Sequence, residues 1–369
     1  MVRNLFAQTL DVIPDVGTYI ASQEQLYMRL TGGLPEVVDN IDMTPFRLRV
    51  QATAGSGKTQ LALQQFNRAV AAGRRPLYVC FNRPLADRFR EVARPEGSAD
   101  TFYGLIHHFL ESIGEKVDFD RVNGTDGAFW QGLQERVIAS DIGDDARYDL
   151  VVVDEGQDFS TEWYQFLLLF ARPQYDLLWL EDEAQNIRGN SPRELDGAIG
   201  YRADVNYRTP WTIARYIRDK LGIDFRCGND LPGLGVGEHS YQEPGDQKSL
   251  VDGIVRNLVA QGFEYEDIAI LSMHGVGKSG LGEPDTLNGV PVRRFTGGYD
   301  DSNNQVYTDG RLYFETVYRF KGQQAPAVII TDIDGRAHDP EQYKATLFSA
   351  MTRATVRLEI LACQAGTLQ

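Results

Sequence analysis

Ala52-Thr53-Ala54-Gly55-Ser56-Gly57-Lys58-Thr59 decides how this chain folds. The alternating run Phe46-Arg47-Leu48-Arg49-Val50 before it reads as a strand. Residues 59–72 after it read as a helix with Leu63, Phe66 and Val70 on one face. Small residues between strand and helix let backbone N–H groups wrap a phosphate at the helix N-terminus. Gly55, Ser56 and Gly57 are the candidate cradle. Lys58 is placed to reach the β and γ phosphates, and Thr59 to hold Mg²⁺. The phosphate-loop pattern G-x-x-x-x-G-K-[ST] is not fully met, because Ala52 stands at its first glycine. Strand, loop, Lys-Thr and helix nevertheless agree. A second Gly-Lys-Ser, Gly277-Lys278-Ser279, is followed by Gly280-Leu281-Gly282-Glu283-Pro284, which cannot be a helix. It reads as a surface loop, so context separates the two.

Outward from the loop, 369 residues suffice for two domains of ordinary size. With 42% hydrophobic and 24% charged residues the chain is globular. No apolar run reaches the length of a membrane span; the strongest block is Phe166-Leu167-Leu168-Leu169-Phe170. Cys80, Cys227 and Cys363 are too scattered for a disulfide framework or zinc site. No secretory signal follows Met1, and a reducing, cytoplasmic setting without a membrane partner is expected. The net charge of −15 argues against bulk electrostatic attachment to nucleic acid. It leaves room for a local basic groove, for which Arg83, Arg88, Arg90 and Arg94 compete with a plain solvated helix face.

A second signal is Asp149-Leu150-Val151-Val152-Val153, an apolar run expected of a strand buried on both faces of a parallel sheet. It ends in Asp154-Glu155-Gly156-Gln157-Asp158, and ligand chemistry in such sheets sits at the carboxyl ends of strands. There Asp154 can bind Mg²⁺ through its water shell. Glu155 can orient and deprotonate the water that attacks a γ-phosphate.

These residues resemble motif II of superfamily 1 helicases of the UvrD/Rep/PcrA type. The other motifs follow in order. Residues 54–59 are similar to motif I, and Val79-Cys80-Phe81-Asn82-Arg83-Pro84 to motif Ia. Thr101-Phe102-Tyr103-Gly104 resembles the next segment, and Glu181-Asp182-Glu183-Ala184-Gln185 motif III. Asn206-Tyr207-Arg208-Thr209-Pro210 resembles motif IV, Phe320-Lys321-Gly322 lies in a motif V-like segment, and Ser349-Ala350-Met351-Thr352-Arg353 resembles motif VI. The resemblance implies an α/β fold of two RecA-like P-loop NTPase domains, each a mainly parallel sheet flanked by helices. The expected division is 1–204, with motifs I to III, and 205–369, with motifs IV to VI. It implies ATP and Mg²⁺ between the domains. Gln185 would sense the γ-phosphate, and Arg208 and Arg353 would face it from the second side. Phe81, Asn82, Tyr103 and Tyr318 would meet single-stranded DNA. Gln25, with Gln23 beside it, is the candidate adenine reader. Gln324 stands where the family carries a Glu near the ribose. His107 and His108, being adjacent, are expected to be one packed and one exposed imidazole; Trp130, Trp163, Trp179 and Trp211 are expected in core or interface.

Departures are visible too. Glu181-Asp182 replaces the usual Gly-Asp, and the aromatic tail after motif III is reduced to Asn186-Ile187-Arg188-Gly189. The segments between Leu105 and Asp149, and between Pro210 and Thr316, leave room for a small helical insert and core sheet, and not for large accessory domains. Residues 297–304, rich in Gly, Asp and Asn, read as a loop. The leading expectation is an ATP-hydrolysing motor on single-stranded DNA, a translocase moving 3′→5′ by resemblance, with unwinding as its further form. The first alternative is an ATPase subunit or switch of a larger assembly, whose protein partner supplies the accessory function. The second is a helicase-like fold repurposed for an ATP-consuming small-molecule reaction.

Overall fold

The computed structural model describes residues 15–31, 33–117, 127–186, 194–299, 305–335 and 339–364. The first half holds six parallel strands: β1 (Arg47–Ala52), β2 (Pro76–Cys80), β3 (Ser98–Thr101), β4 (Tyr148–Val153), β5 (Ala171–Glu181) and β6 (Ile199–Ala203). Their order is β3-β2-β4-β5-β1-β6. The strand expected before the phosphate loop is β1, and the one ending in the acidic turn is β4; the two flank β5.

The period of two along each strand splits the core into two layers. Leu77, Val79, Val151, Val153, Leu177 and Trp179 face one side. They pack there on α5 (Phe102–Ser112), α6 (Gly127–Ala139) and α7 (Thr161–Leu167). Leu48, Val50, Tyr78, Cys80, Leu150, Val152, Leu178 and Leu180 face the other. Their partners are α2 (Gly33–Asp39), α3 (Lys58–Ala71) and α4 (Arg83–Val92). Of the segment between α5 and β4, the described part forms the small helix α6 and a single 3-10 turn, Asp144–Ala146.

After a short parallel pair, β7 (Val205–Asn206) with β8 (Arg226–Cys227), the second half builds its own sheet. Its strands are β9 (Val236–Tyr241), β10 (Ile268–Ser272), β11 (Thr286–Leu287), β12 (Val290–Arg293), β15 (Leu312–Thr316), β16 (Ala325–Ile333) and β17 (Ala354–Cys363). The order is β11-β12-β15-β10-β16-β17-β9, antiparallel only at β11–β12. Helices α8 (Trp211–Leu221), α10 (Val317–Phe320) and α11 (Pro340–Met351) cover one face, and α9 (Gln247–Ala260) the other.

Two expectations need correction. Part of the predicted loop 297–304 is paired: β13 (Phe295–Tyr299) and β14 (Gln305–Tyr307) form an antiparallel hairpin, and residues 300–304 lie outside those described. A period-two pattern is hidden there because glycine contributes no side chain to it. The second correction concerns α1 (Val16–Thr31). It falls within the expected first domain, yet Val16 is buried in the second half's core, with Tyr19 and Ile20 packed beside it. The Gly277-Lys278-Ser279 segment is not a phosphate loop. Ser279 Oγ donates to Asp332 Oδ2 at 2.7 Å, and Gly280 N to Asp332 Oδ1 at 2.8 Å.

Candidate nucleotide and nucleic-acid site

The loop between β1 and α3 needs its glycines for two reasons. Gly55 and Gly57 have φ of 68° and 97°, the left-handed region where a Cβ is strained. A Cβ on Gly55 would also come 2.6 Å from Arg208 Cβ, and one on Gly57 2.9 Å from Thr31 Cβ. The loop is thus wedged between motif IV and the end of α1. Lys58 opens α3 and is buried, its Nζ donating to Ala52 O at 2.7 Å and Thr53 O at 3.1 Å. Thr59 Oγ1 donates to Asp154 Oδ2 at 3.2 Å, and Tyr78 OH to the same oxygen at 3.0 Å. The pair expected to hold Mg²⁺ is therefore assembled.

Glu155 follows with φ 55°, an unusual backbone for a non-glycine residue and one that clusters at functional sites. Gly156 makes the turn possible, since a Cβ there would lie 2.3 Å from the Trp179 indole nitrogen. Gln157 Nε2 donates to Glu155 Oε2 at 2.6 Å, while Gln157 Oε1 accepts from Asp182 N at 2.9 Å. One amide so links motif II to motif III. Glu181, the departure from Gly-Asp, is buried and accepts from Arg49 Nε at 2.7 Å and Trp179 Nε1 at 2.9 Å.

Four cations meet four carboxylates in one buried space. Burial pushes Asp154 up to about 6, with Glu155 adding repulsion. Burial pushes Glu155 up as well, but Lys321, Lys58 and Arg353 outweigh it and hold Glu155 at about 2. It is therefore charged at neutral pH, as a base must be. Lys321, from the loop after α10, reaches across from the second half. Its Nζ donates to Asp158 Oδ1 and Oδ2 at 2.9 and 2.8 Å and to Gln185 O at 3.1 Å, and stands 3.5 Å from Glu155 Oε2. The sequence puts Lys321 in the motif V-like segment and assigns it no role; its place beside Gly322 there is the signal that points to it.

The expected arginines converge. Asn206 Oδ1 accepts from the backbone N–H of Arg208 at 2.9 Å and of Thr209 at 2.8 Å, which turns the chain and aims Arg208 inward. Arg208 is buried, and its Nη2 donates to Thr352 O at 2.7 Å. Arg353 donates from Nε to Ser349 O at 3.1 Å and from Nη2 to Gln185 Oε1. Gln185 in turn donates to Asp182 Oδ2 at 2.5 Å. Burial, and then the nearby Arg208, lowers Arg353 to about 10. Two guanidiniums this close repel. Arg208 Nε and Ser56 Oγ are buried without a hydrogen-bond partner among the described residues. Both features suit a polyanion, so the donor set fits a nucleoside triphosphate, with Thr59 and Asp154 the pair to hold its Mg²⁺.

Gln25 is exposed. Gln23 is buried, but its Oε1 accepts from Asn229 Nδ2 at 2.9 Å, so its amide is already engaged. Gln324 lines a cleft of about 540 Å³ with Arg88, Arg293, Tyr307 and Arg311, and no phosphate-loop residue shares that lining. Gln324 directly precedes β16, and α4 residues share that lining with it. Asn82 Nδ2 donates to Tyr318 O at 3.2 Å and Arg319 O at 3.1 Å, joining motif Ia to motif V. Tyr318 itself is exposed.

Phe81 stacks on Trp163 with centroids 5.7 Å apart, and Tyr103 leans on Trp130 at 4.1 Å. These four aromatic rings are half-buried and form one ladder packed on the first-half core, Trp163 also stacking on buried Phe102 at 4.4 Å. Trp179 is fully buried and Trp211 exposed. His107 is buried and His108 exposed, His108 Nδ1 lying 2.6 Å from Asp100 Oδ2. Arg83 and Arg90 are paired with Asp87. Residues 187–189, the tail after motif III, lie outside the described residues. No described helix is long and apolar enough to cross a membrane, and all three cysteines are free.

Residues 39–190 match the family described as the AAA domain, and residues 311–361 match the UvrD-like helicase C-terminal domain. Among curated proteins none matches this chain.

Proposed function

We propose that this chain, a UvrD/Rep-like superfamily 1 helicase-like protein, is an ATP-hydrolysing motor that acts on single-stranded DNA. One observation carries the reading. Lys321 and Arg353, both from the second half, bond groups around Glu155 and Gln185 on the first. Hydrolysis then depends on the two halves being closed, and a strand that closes them drives turnover.

Each residue's part follows from its setting. Lys58, Arg208 and Arg353 bind and orient the phosphates and stabilise the charge that develops on them. Glu155, held ionised by its cations, takes a proton from the attacking water. Gln185 links the acidic loop to Arg353, so the γ-phosphate position and the domain contact are read by one side chain. Mg²⁺ bound by Thr59 and Asp154 would neutralise phosphate charge. Phe81 and Tyr103, half-buried beside Trp163 and Trp130, are the rings set to meet bases, with 3′→5′ movement the direction expected from the family resemblance.

A second reading has its own support. Among the described residues, the segment between α5 and β4 holds only α6 and one 3-10 turn, and β13–β14 is a two-stranded hairpin, neither of them a large accessory domain. A partner-driven ATPase switch without unwinding fits that reduced frame and the charge of −15. Phosphate release from ATP with and without single-stranded DNA, with Glu155→Gln as the blank, decides. Strong stimulation supports the motor. Turnover indifferent to DNA and RNA refutes it and favours the switch.

A further inference from the structure

We infer that α1 is a clasp that sets the arginine side of the site, and that Gln23 acts through Asn229 on Arg208 instead of reading a nucleotide base. The inference rests on the ATP-hydrolysis reading above and names what positions its arginine.

The helix is tied at both ends. Near its C-terminus, Thr31 abuts Gly57 of the phosphate loop, and Thr31 Oγ1 donates to Gln60 Oε1 at 2.6 Å. Toward its N-terminus, Val16 is buried in the second half's core, and Tyr19 OH accepts from Gly233 N at 2.6 Å. Between these anchors Gln23 is 3% exposed. Both ends of its amide are used, Oε1 by Asn229 Nδ2 at 2.9 Å and Nε2 by Tyr19 OH at 3.4 Å. Asn229 Nδ2 also donates to Arg208 O at 3.1 Å, and Asn229 Oδ1 accepts from Leu231 N at 2.9 Å. The backbone of Arg208 is therefore pinned on both sides, its N–H by Asn206 and its carbonyl by Asn229. Tyr27, on the same helix, is close enough to Arg208 and Arg353 for their charges to oppose the rise that burial gives its hydroxyl.

A helix advances about 1.5 Å per residue, so Gln23 and Thr31 are about 12 Å apart along one stiff rod. That rod touches the phosphate loop at its C-terminal end and, at its middle, reaches the arginine loop through Gln23 and Asn229. A nucleotide that shifts one shifts the other. To read a base, Gln23 would have to abandon the bonds that hold Asn229.

The test uses the full chain and steady-state hydrolysis of ATP and GTP. Gln23→Ala and Asn229→Ala each lower kcat about ten-fold or more, as expected when a reacting group is displaced. KM for ATP and the preference for ATP over GTP stay as in the wild type. The double variant is no worse than either single one, because both act on one link. Gln23→Glu keeps the acceptor for Asn229 and retains most of kcat; if Gln23→Ala does not fold, this variant decides. Glu24→Ala, exposed on the same helix, is the control. A raised KM with lost base preference at unchanged kcat would show that Gln23 reads the base and would overturn the inference. Unchanged kinetics in a hydrolysing protein would overturn it as well. A wild type that hydrolyses neither nucleotide would overturn the proposed function itself, and the inference with it.

Discussion

Glu155 combines a left-handed backbone with a buried charge, and both features are unfavourable unless neighbours enforce them. Trp179 against Gly156 fixes the turn, and Lys321 with Arg353 keeps the carboxylate ionised. Glu155→Gln is therefore expected to bind ATP and release no phosphate, read by nucleotide-induced melting shifts beside a phosphate assay. Arg353→Ala is expected to lose about 10³-fold in kcat, the lower range for such arginines; a loss under ten-fold would remove it from the site. Outside the site, Asp100's hydrogen bond raises His108 above the usual histidine value despite partial burial, with Glu111 and Arg90 its other charged neighbours. A raised folded value means the stabilisation is full below the unfolded pKa of about 6.5 and fades as pH rises through the folded one. The melting-temperature gap between wild type and His108→Ala should be wider at about pH 5.5 than at about pH 8.5. Water screens this exposed pair, so the change is small. An equal gap would mean the pair contributes nothing.

At the level of elements, the phosphate loop is shaped by what presses on it. Gly57→Ala would meet both a left-handed φ and Thr31, so it should weaken nucleotide binding and α1 docking together. Melting curves with and without ATP check this, and a full ATP-induced shift in the variant would contradict it. The ladder on α5, α6 and α7 gives a separate prediction. Base stacking is worth about 1–3 kcal/mol per base, so Tyr103→Ala should weaken single-strand binding by that order. The salt slope of binding should stay unchanged, since no cation is lost. Fluorescence anisotropy titrations at several salt concentrations measure both.

Across the whole molecule, the halves are held by buried polar contacts between motifs. Lys321 and Asp158 are 2% and 3% exposed at the side chain, so removing one strands the other in low dielectric. Lys321→Met should cost about 3–5 kcal/mol in urea unfolding, and adding Asp158→Asn should return part of it. Additive losses would mean that the pair is not coupled. The same contacts explain how a closed cleft and hydrolysis are linked: Asp158, Glu155 and Gln185 meet their cations only when the second sheet is in place.

Local pattern determined much of this protein. The strand–loop–helix around Lys58, the acidic strand end at Asp154 and Glu155, and the order of the later motifs are short-range signals, and each is written in adjacent residues. Period-two runs gave the core strands because alternate side chains face opposite sides of a sheet. Tertiary structure alone decided which distant groups meet. Lys321 joined Asp158, Gln23 was taken by Asn229, Gln324 joined the lining of the α4 cleft, and α1 packed against both halves. Such partners are set by the packing of whole sheets and helices, and no spacing in the chain records a contact between residues more than a hundred positions apart.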